Sequence, residues 1–179
     1  VSDDMGDRVY RKVSTGGSTG EPLPYLLENS AISMAWACNW RAWRWAGWDF
    51  GDKMATLAGA SLFISRVEDW TGRLKKWAYL KFLQRNQPLS AFDMSNNTIK
   101  EYAVKIQKNR PEYLRGYASA LTEFARWCSI NKSSIHFKGI FSTAESLFAE
   151  QRSILERTFN CRVFDHYGAN DGGGIAHEC

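Results

Sequence analysis

Phe137-Lys138-Gly139-Ile140-Phe141, a polar helical stretch from Ser146 to Thr158, and Arg162-Val163-Phe164-Asp165-His166 decide the fold. Two short apolar runs flanking a helix-length amphipathic segment read as strand, helix, strand. The same alternation runs back toward the middle of the chain. Tyr117 to Ser129 places Leu121, Phe124, Ala125 and Cys128 on one helical face. Ser95 to Lys108, capped by Ser95, spaces Ile99, Tyr102, Ala103 and Ile106 at i, i+3, i+4, i+7 and ends at Asn109 and Pro111. Glu68 to Arg85 is a basic amphipathic helix with Trp70, Leu74 and Trp77 on one side. Met54 to Leu57 is a short apolar strand that Leu62-Phe63-Ile64 extends. Strand and helix alternating from Lys53 onward predict an α/β fold with a largely parallel sheet.

In such sheets ligands gather beyond the carboxyl ends of the strands. Two loops are therefore candidate site segments: Ser142-Thr143-Ala144-Glu145 after Phe141, and Tyr167-Gly168-Ala169-Asn170-Asp171-Gly172-Gly173-Gly174 after His166. They follow consecutive strands, so both are expected at one edge of the sheet.

A third segment, Thr15-Gly16-Gly17-Ser18-Thr19-Gly20-Glu21-Pro22, lies between strand-like runs at Arg8–Ser14 and Leu23–Glu28. Glycines let backbone N–H groups converge on an anion, and the hydroxyls of Thr15, Ser18 and Thr19 add donors. It matches neither the G-x-x-x-x-G-K-[ST] loop nor G-x-G-x-x-G. A phosphate cradle of another kind and a plain hairpin loop both fit it.

Composition narrows the class. The chain has 179 residues, 44% of them hydrophobic and 23% charged, enough for one domain with a sizeable core. No apolar run is long enough to span a bilayer, and the first ten positions carry charges rather than a signal core. The start at Val1 is expected of a piece of a longer chain. Cys38, Cys128, Cys161 and Cys179 show no paired spacing, which favours a reducing, cytoplasmic setting. Eleven Lys/Arg stand against five Asp/Glu between Arg66 and Arg115; solvated helix faces are preferred there to an anion- or membrane-binding surface. Ser30 to Ala46 reads as a helix, capped at Asn29 or Ser30 and stopped at Gly47, with Trp36, Trp40 and Trp43 on one face and Arg41 and Arg44 off it. That stripe is read as packing, not as a stacking platform for nucleic-acid bases.

The three candidate segments occur in an order and spacing that resembles the adenylate-forming superfamily of acyl-CoA synthetases. Arg41-Ala42-Trp43, Trp45-Ala46-Gly47-Trp48, Gly51-Asp52, Arg115-Gly116-Tyr117-Ala118-Ser119 and Gly174-Ile175-Ala176-His177-Glu178-Cys179 resemble its phenylacetate–CoA ligase and capsule-biosynthesis branch. The resemblance covers nearly the whole chain and implies that residues 1–179 are one partial domain, the nucleotide-binding core of the large N-terminal domain. It implies ATP-dependent activation of a carboxylic acid to an acyl adenylate, then transfer to coenzyme A. Thr15, Gly16, Gly17, Ser18, Thr19 and Gly20 would contact phosphates, with Thr19 and Asp171 catalytic. Ser142, Ala144 and Glu145 would line the adenine or acyl side, Tyr167 and Gly168 would border adenine, and Asp171 would hold Mg²⁺. The family usually has glutamate at that last position. Its mobile C-terminal domain, which brings a catalytic lysine, is not found here, so the fragment is not expected to act alone. Cys179 is a candidate ligand for a structural zinc, although a solvated terminus is the preferred reading of His177-Glu178-Cys179, and His136 and His166 are read as structural. Two rivals remain: a non-catalytic relative that binds nucleotide, and a basic tryptophan-rich module for anionic membrane or polysaccharide, with Lys75, Lys76 and Lys81 as its contacts.

Overall fold

Tyr10–Ser14 (β1) and Pro24–Glu28 (β2) pair antiparallel with Ser14 opposite Pro24, so the glycine-rich segment joins the two arms of a hairpin. The computed structural model describes residues 9–14, 23–59, 85–169 and 173–179. The loop 15–22, the expected strand extension Leu62–Ile64, the expected basic helix up to Gln84, and Asn170 to Gly172, including Asp171, lie outside the described residues.

β2 runs directly into Asn29–Trp45 (α1), then Met54–Ala58 (β3), Asn86–Ser90 (β4), Asn96–Asn109 (α2), Tyr113–Tyr117 (β5), Ala118–Ile130 (α3), Gly139–Thr143 (β6), Ala149–Phe159 (α4), Arg162–Ala169 (β7) and Gly173–His177 (β8). Six strands form one sheet in the order β4-β3-β5-β6-β7-β8; all neighbours are parallel except β8, which is antiparallel to β7. This is the expected α/β architecture with a largely parallel sheet.

Both faces are covered, which explains why β3 and β6 are buried at every position. On one face Ala55, Leu57, Leu114, Ile140 and Val163 meet α2 through Ile99 and Ile106, α3 through Leu121 and Phe124, and α4 through Leu155 and Phe159. The helical faces expected on α2 and α3 are the buried ones. The opposite face carries Met54, Tyr113, Phe141 and Phe164 against Trp43 of α1 and Trp48. The indoles of Trp43 and Trp48 meet edge-on at 5.3 Å, so the tryptophan stripe is packing, as expected. Arg41 lies over the Trp45 ring and Arg44 pairs with Asp49, both off that face.

The strand assignment changes in five places, one of them β8, which was expected as loop and terminus. β4 contains Pro88, which cannot donate to a ladder and reads as a breaker; at the sheet's edge it is tolerated. β5 was hidden because Arg115 and Gly116 interrupt its apolar pattern, yet it is an interior strand next to β3, where chain order reverses. β6 begins two residues later than expected and ends at Thr143, so Ser142 and Thr143 are strand, not loop. β7 continues to Ala169 because β8 pairs with its far end, so Tyr167 and Gly168 are strand as well. At α2, Ser95 occupies the cap position without capping through its side chain. Asp93 instead fixes the turn leading into the helix, accepting from the Ser95 amide at 2.9 Å and the Thr98 hydroxyl at 2.6 Å. Among the described residues no helix is long and apolar enough to cross a membrane.

Candidate functional site

Parallel pairing brings the ends of β5, β6 and β7 to one edge, as the order of motifs implied. Tyr117, Thr143 and His166 are aligned across it, and β8 adds His177 opposite His166. Beyond this row the chain turns at Ala144, which takes a left-handed backbone with φ 66°. Glu145 then folds back to α3: its carboxylate accepts from the Ser119 amide at 2.8 Å and the Ser119 hydroxyl at 3.0 Å. An acidic group at a helix N-terminus is stabilised by the helix dipole and the free N–H groups there. Glu145 thus clamps the loop after β6 to the start of α3, with both oxygens engaged.

The remaining site residues divide sharply. Ser142 is fully buried on the face of α3 and α4, and its hydroxyl has no partner. Tyr167 is 68% exposed, so its ring is free to meet a ligand. Gly168 packs against the Gly173 carbonyl across the β7–β8 pair. Thr15, Gly16, Gly17, Ser18, Thr19, Gly20 and Asp171 lie outside the described residues. Cys179 is exposed, and its carbonyl accepts from Arg162 at 3.4 Å. No group of three His, Cys, Asp or Glu side chains suited to a metal ion occurs among the described residues.

The chain end is not simply solvated. The Glu178 carboxylate receives Arg152 Nη2 at 2.8 Å on both oxygens and the Asp165 amide at 2.9 Å. His177 stacks on His166, ring centres 4.0 Å apart and planes within 16°. Nδ1 of His166 lies 3.3 Å from the Thr143 hydroxyl.

Beneath that pair lies a residue the charge count had assigned to solvated helix faces. Arg115 points from the centre of β5 toward α1, 9% exposed, with its guanidinium 5.3 Å above the Trp43 ring. Burial lowers it to about 10, which still leaves it charged at neutral pH. Among the described residues no ion pair to it is found, and its Nε has no acceptor. Burial pushes His166 down to about 4, with His177 and Arg115 adding to the shift. Burial and Arg115 lower His177 as well. Both imidazoles are therefore neutral at pH 7 and serve as hydrogen-bonding groups. Arg115, His177 and Asn39, whose Oδ1 is also buried without a partner, were not among the expected site residues. A charged residue inside Tyr-Leu-Arg-Gly-Tyr, too short a run for a helix face, was the available signal for Arg115.

The hairpin is tied to this edge through α1. Ala35 touches the position a side chain on Gly173 would take, and Asn39 that of Gly174. β2 runs directly into this helix, so the chain joins the hairpin strands to the part of α1 that meets β8.

No family model matches the chain. It is 28% identical over 171 residues to Protein CapK of Staphylococcus aureus, an alignment covering 93% of this chain and 36% of that protein. Its fold superposes on an open conformation of 2-hydroxyisobutyryl-CoA ligase in complex with 2-HIB-AMP and CoA, with a TM-score of 0.66 and 15% identity. That match covers 92% of this chain and 37% of the ligase. An acyl-CoA synthetase of Brucella canis superposes with a TM-score of 0.62 at 17% identity, covering 93% of this chain and 28% of that one. The α/β fold therefore matches part of solved acyl-CoA ligases. The chain spans about a third of the length of Protein CapK and of 2-hydroxyisobutyryl-CoA ligase.

Proposed function

We propose that this chain is the nucleotide-binding core of an enzyme that activates a carboxylic acid with ATP, forming an acyl adenylate and pyrophosphate. The acyl group then passes to coenzyme A. The observation carrying this reading is the meeting at one sheet edge of the loop after β6 and the β7–β8 pair, against which α1 packs at Gly173 and Gly174. The solved ligase that shares the fold holds 2-HIB-AMP and CoA, which supports the same chemistry here. The finer assignment, to the phenylacetate–CoA ligase and capsule-biosynthesis branch, rests on the residues quoted for it, and the likeness to Protein CapK supports it.

The described residues fit the base of a nucleotide. Tyr167 offers an exposed aromatic face, and Ala144 turns the backbone beside it. Glu145, with both oxygens held by Ser119, positions that turn and keeps its own charge away from a phosphate. Thr15, Ser18 and Thr19 are the hydroxyl donors for the phosphates. Asp171 is the ligand for Mg²⁺, which when bound offsets the negative charge of the phosphates as the carboxylate approaches. Two anions must meet in this reaction, and Arg115, buried on the α1 side of β5, is a positive charge that would help offset them.

The test is ATP–pyrophosphate exchange by the protein at its full natural length, over a panel of aromatic and aliphatic acids. Acid-dependent return of labelled pyrophosphate into ATP is expected, lost in Thr19→Val and reduced in Asp171→Asn. Measurable ATP binding with no exchange for any acid would make the protein a non-catalytic nucleotide binder.

A further inference from the structure

At the amino ends of the strands, the edge away from the site just described, four charged residues fall in one row. The Met54 amide donates to the Arg85 carbonyl at 3.2 Å, the Tyr113 amide to that of Lys53 at 3.1 Å, and the Lys138 amide to that of Glu112 at 2.7 Å. Arg85, Lys53, Glu112 and Lys138 therefore stand side by side just before β4, β3, β5 and β6. Two cavities open along this row, and Pro111 lines both. One, of about 650 Å³, is lined by Lys53, Arg85, Asn86, Gln87 and Asn109. The other, of about 730 Å³, is lined by Arg110, Glu112, His136 and Lys138, with Ile135 and Phe137 as its apolar part. Each is in the size range of a ligand cleft.

Charge decides what such a trough attracts. Lys138 pairs with Glu112, but among the described residues no ion pair to Lys53, Arg85 or Arg110 is found. Lys53 donates to the Asn109 carbonyl at 3.0 Å and Arg85 to the Gly51 carbonyl at 2.9 Å. Neutral carbonyls hold these two cations in place without cancelling their charge, so less side-chain freedom is left to lose on binding. The second acid here, Asp52, accepts from the Asp49 amide at 2.9 Å. Lys53, Arg85, Arg110 and Lys138 thus outweigh Asp52 and Glu112. Glu112 sits between Lys53 and Lys138 in the row, which disfavours one dense polyanion and favours separate negative groups on either side. Neighbouring strands lie about 4.8 Å apart, which puts Lys53 and Lys138 on strands roughly 10 Å apart. In an extended polyproline-type chain, residues i and i+3 share one face about 9 Å apart.

We propose that this trough binds an acidic peptide segment of a partner protein, extended and carrying glutamates three positions apart. One carboxylate meets Lys53 and Arg85. The other meets Arg110 in the cavity it shares with Lys138, and the two residues between cross Pro111. The proposal does not rest on the activation reading, because the trough lies at the sheet edge away from the loops after β6 and β7.

The experiment titrates the full-length protein into a fluorescein-labelled peptide with Glu-Pro-Leu-Glu between glycine and serine flanks, and follows anisotropy at about 50 mM salt, where screening is weak. Two exposed charge contacts should make it bind about fivefold more tightly than the Gln-Pro-Leu-Gln peptide, and about threefold more tightly than one with adjacent glutamates. Arg110→Glu should weaken binding about fivefold, and Arg85→Gln replaces it if that variant fails to fold. Glu112→Gln, which removes the central negative charge and frees Lys138, should strengthen binding about threefold. Equal binding of the glutamine peptide or of the adjacent-glutamate peptide would overturn the proposal. Displacement by tripolyphosphate at lower concentration than by unlabelled peptide would overturn it in favour of a phosphate site. Cosedimentation with phosphatidylserine vesicles that Arg110→Glu abolishes would overturn it in favour of a membrane surface. Peptide binding with these responses, in a protein without ATP–pyrophosphate exchange, would support the trough and remove only the activation reading.

Discussion

Gly116 is the position at which one added methyl group should matter most. It lies in the central strand between β3 and β6, paired with Leu57 on one side and Ser142 on the other. A Cβ there would overlap the Leu57 carbonyl oxygen and approach Leu121 Cδ2 to 3.2 Å. Leu57 and Leu121 are both buried, at 1% and 0% exposure, so neither has free space to enter. The first collision is with backbone, and relief requires β3 and β5 to separate where they pair. Overpacking of this kind costs about 1–3 kcal/mol. The backbone collision places it near the upper end, less about 0.4–1 kcal/mol gained by restricting the unfolded chain.

Gly116→Ala should therefore destabilise by about 2 kcal/mol, or roughly 4–8 °C in Tm for a chain of this size. Gly139→Ala is the matched control. A Cβ at Gly139 would sit 3.4 Å from Tyr113 and 3.5 Å from Phe164, ordinary contact distances in the same sheet. Its Tm should shift by less than about 2 °C. Scanning calorimetry of both variants decides the matter. A Gly116→Ala protein that melts with the wild type, or a Gly139→Ala protein that loses as much, would refute the packing account of β5.

Three further outcomes are expected. Glu145→Ala should cost about 1–2 kcal/mol, because two charge-assisted hydrogen bonds at the start of α3 are lost, and should raise the KM for ATP more than it changes kcat; thermal melting and exchange kinetics check both. For Glu178, burial alone would raise the carboxyl, but the Asp165 amide and Arg152 outweigh it and the net shift is downward. Its stabilising effect is therefore present above the ordinary glutamate range and lost as pH falls through the lowered folded value, so Glu178→Gln should flatten the loss of Tm between about pH 6 and pH 3; an unchanged acid limb would remove Glu178 from that role. Burial pushes both Cys128 and Cys161 up to about 12, while Cys38 and Cys179 are exposed. Iodoacetamide should therefore label the exposed pair first, and equal early labelling of Cys128 in a mass-spectrometric time course would contradict the packing of α3.

Periodicity revealed the elements whose side chains all answer to one environment. α2 and α3 each show a single apolar face, and Ile99, Tyr102, Ala103 and Ile106, with Leu121, Phe124, Ala125 and Cys128, are buried as spaced. β4, β5 and β8 escaped because their residues serve something besides a core. Pro88 marks an edge, Arg115 packs over Trp43, Gly116 permits a tight interstrand approach, and Gly173 and Gly174 make room for α1. The site's rim was legible for a related reason. Polar loops follow strands of one parallel sheet, so order in sequence translates into position along one edge. The layer under the rim was not legible, because Asn39, Arg115 and His177 come from three separate elements and meet only once α1 lies on the sheet.

That layer also separates the two faces of the sheet by purpose. On the side of α2, α3 and α4, the large apolar core leaves a single buried side-chain atom without a partner among the described residues, the Ser142 hydroxyl. On the α1 side there are five such atoms: Asn39 Oδ1, Trp48 Nε1, Arg115 Nε and Nε2 of both His166 and His177. Unpaired polar groups of this kind each cost about 1–3 kcal/mol, so their gathering on one face opposes folding there. The opposite face, with only the Ser142 hydroxyl unpaired, is what holds the strands in register. Local rules broken on one side and obeyed on the other are expected where a structure keeps groups ready for a ligand. The charge of Arg115 and the neutral histidines both fall on the broken side, next to the edge that β7 and β8 extend.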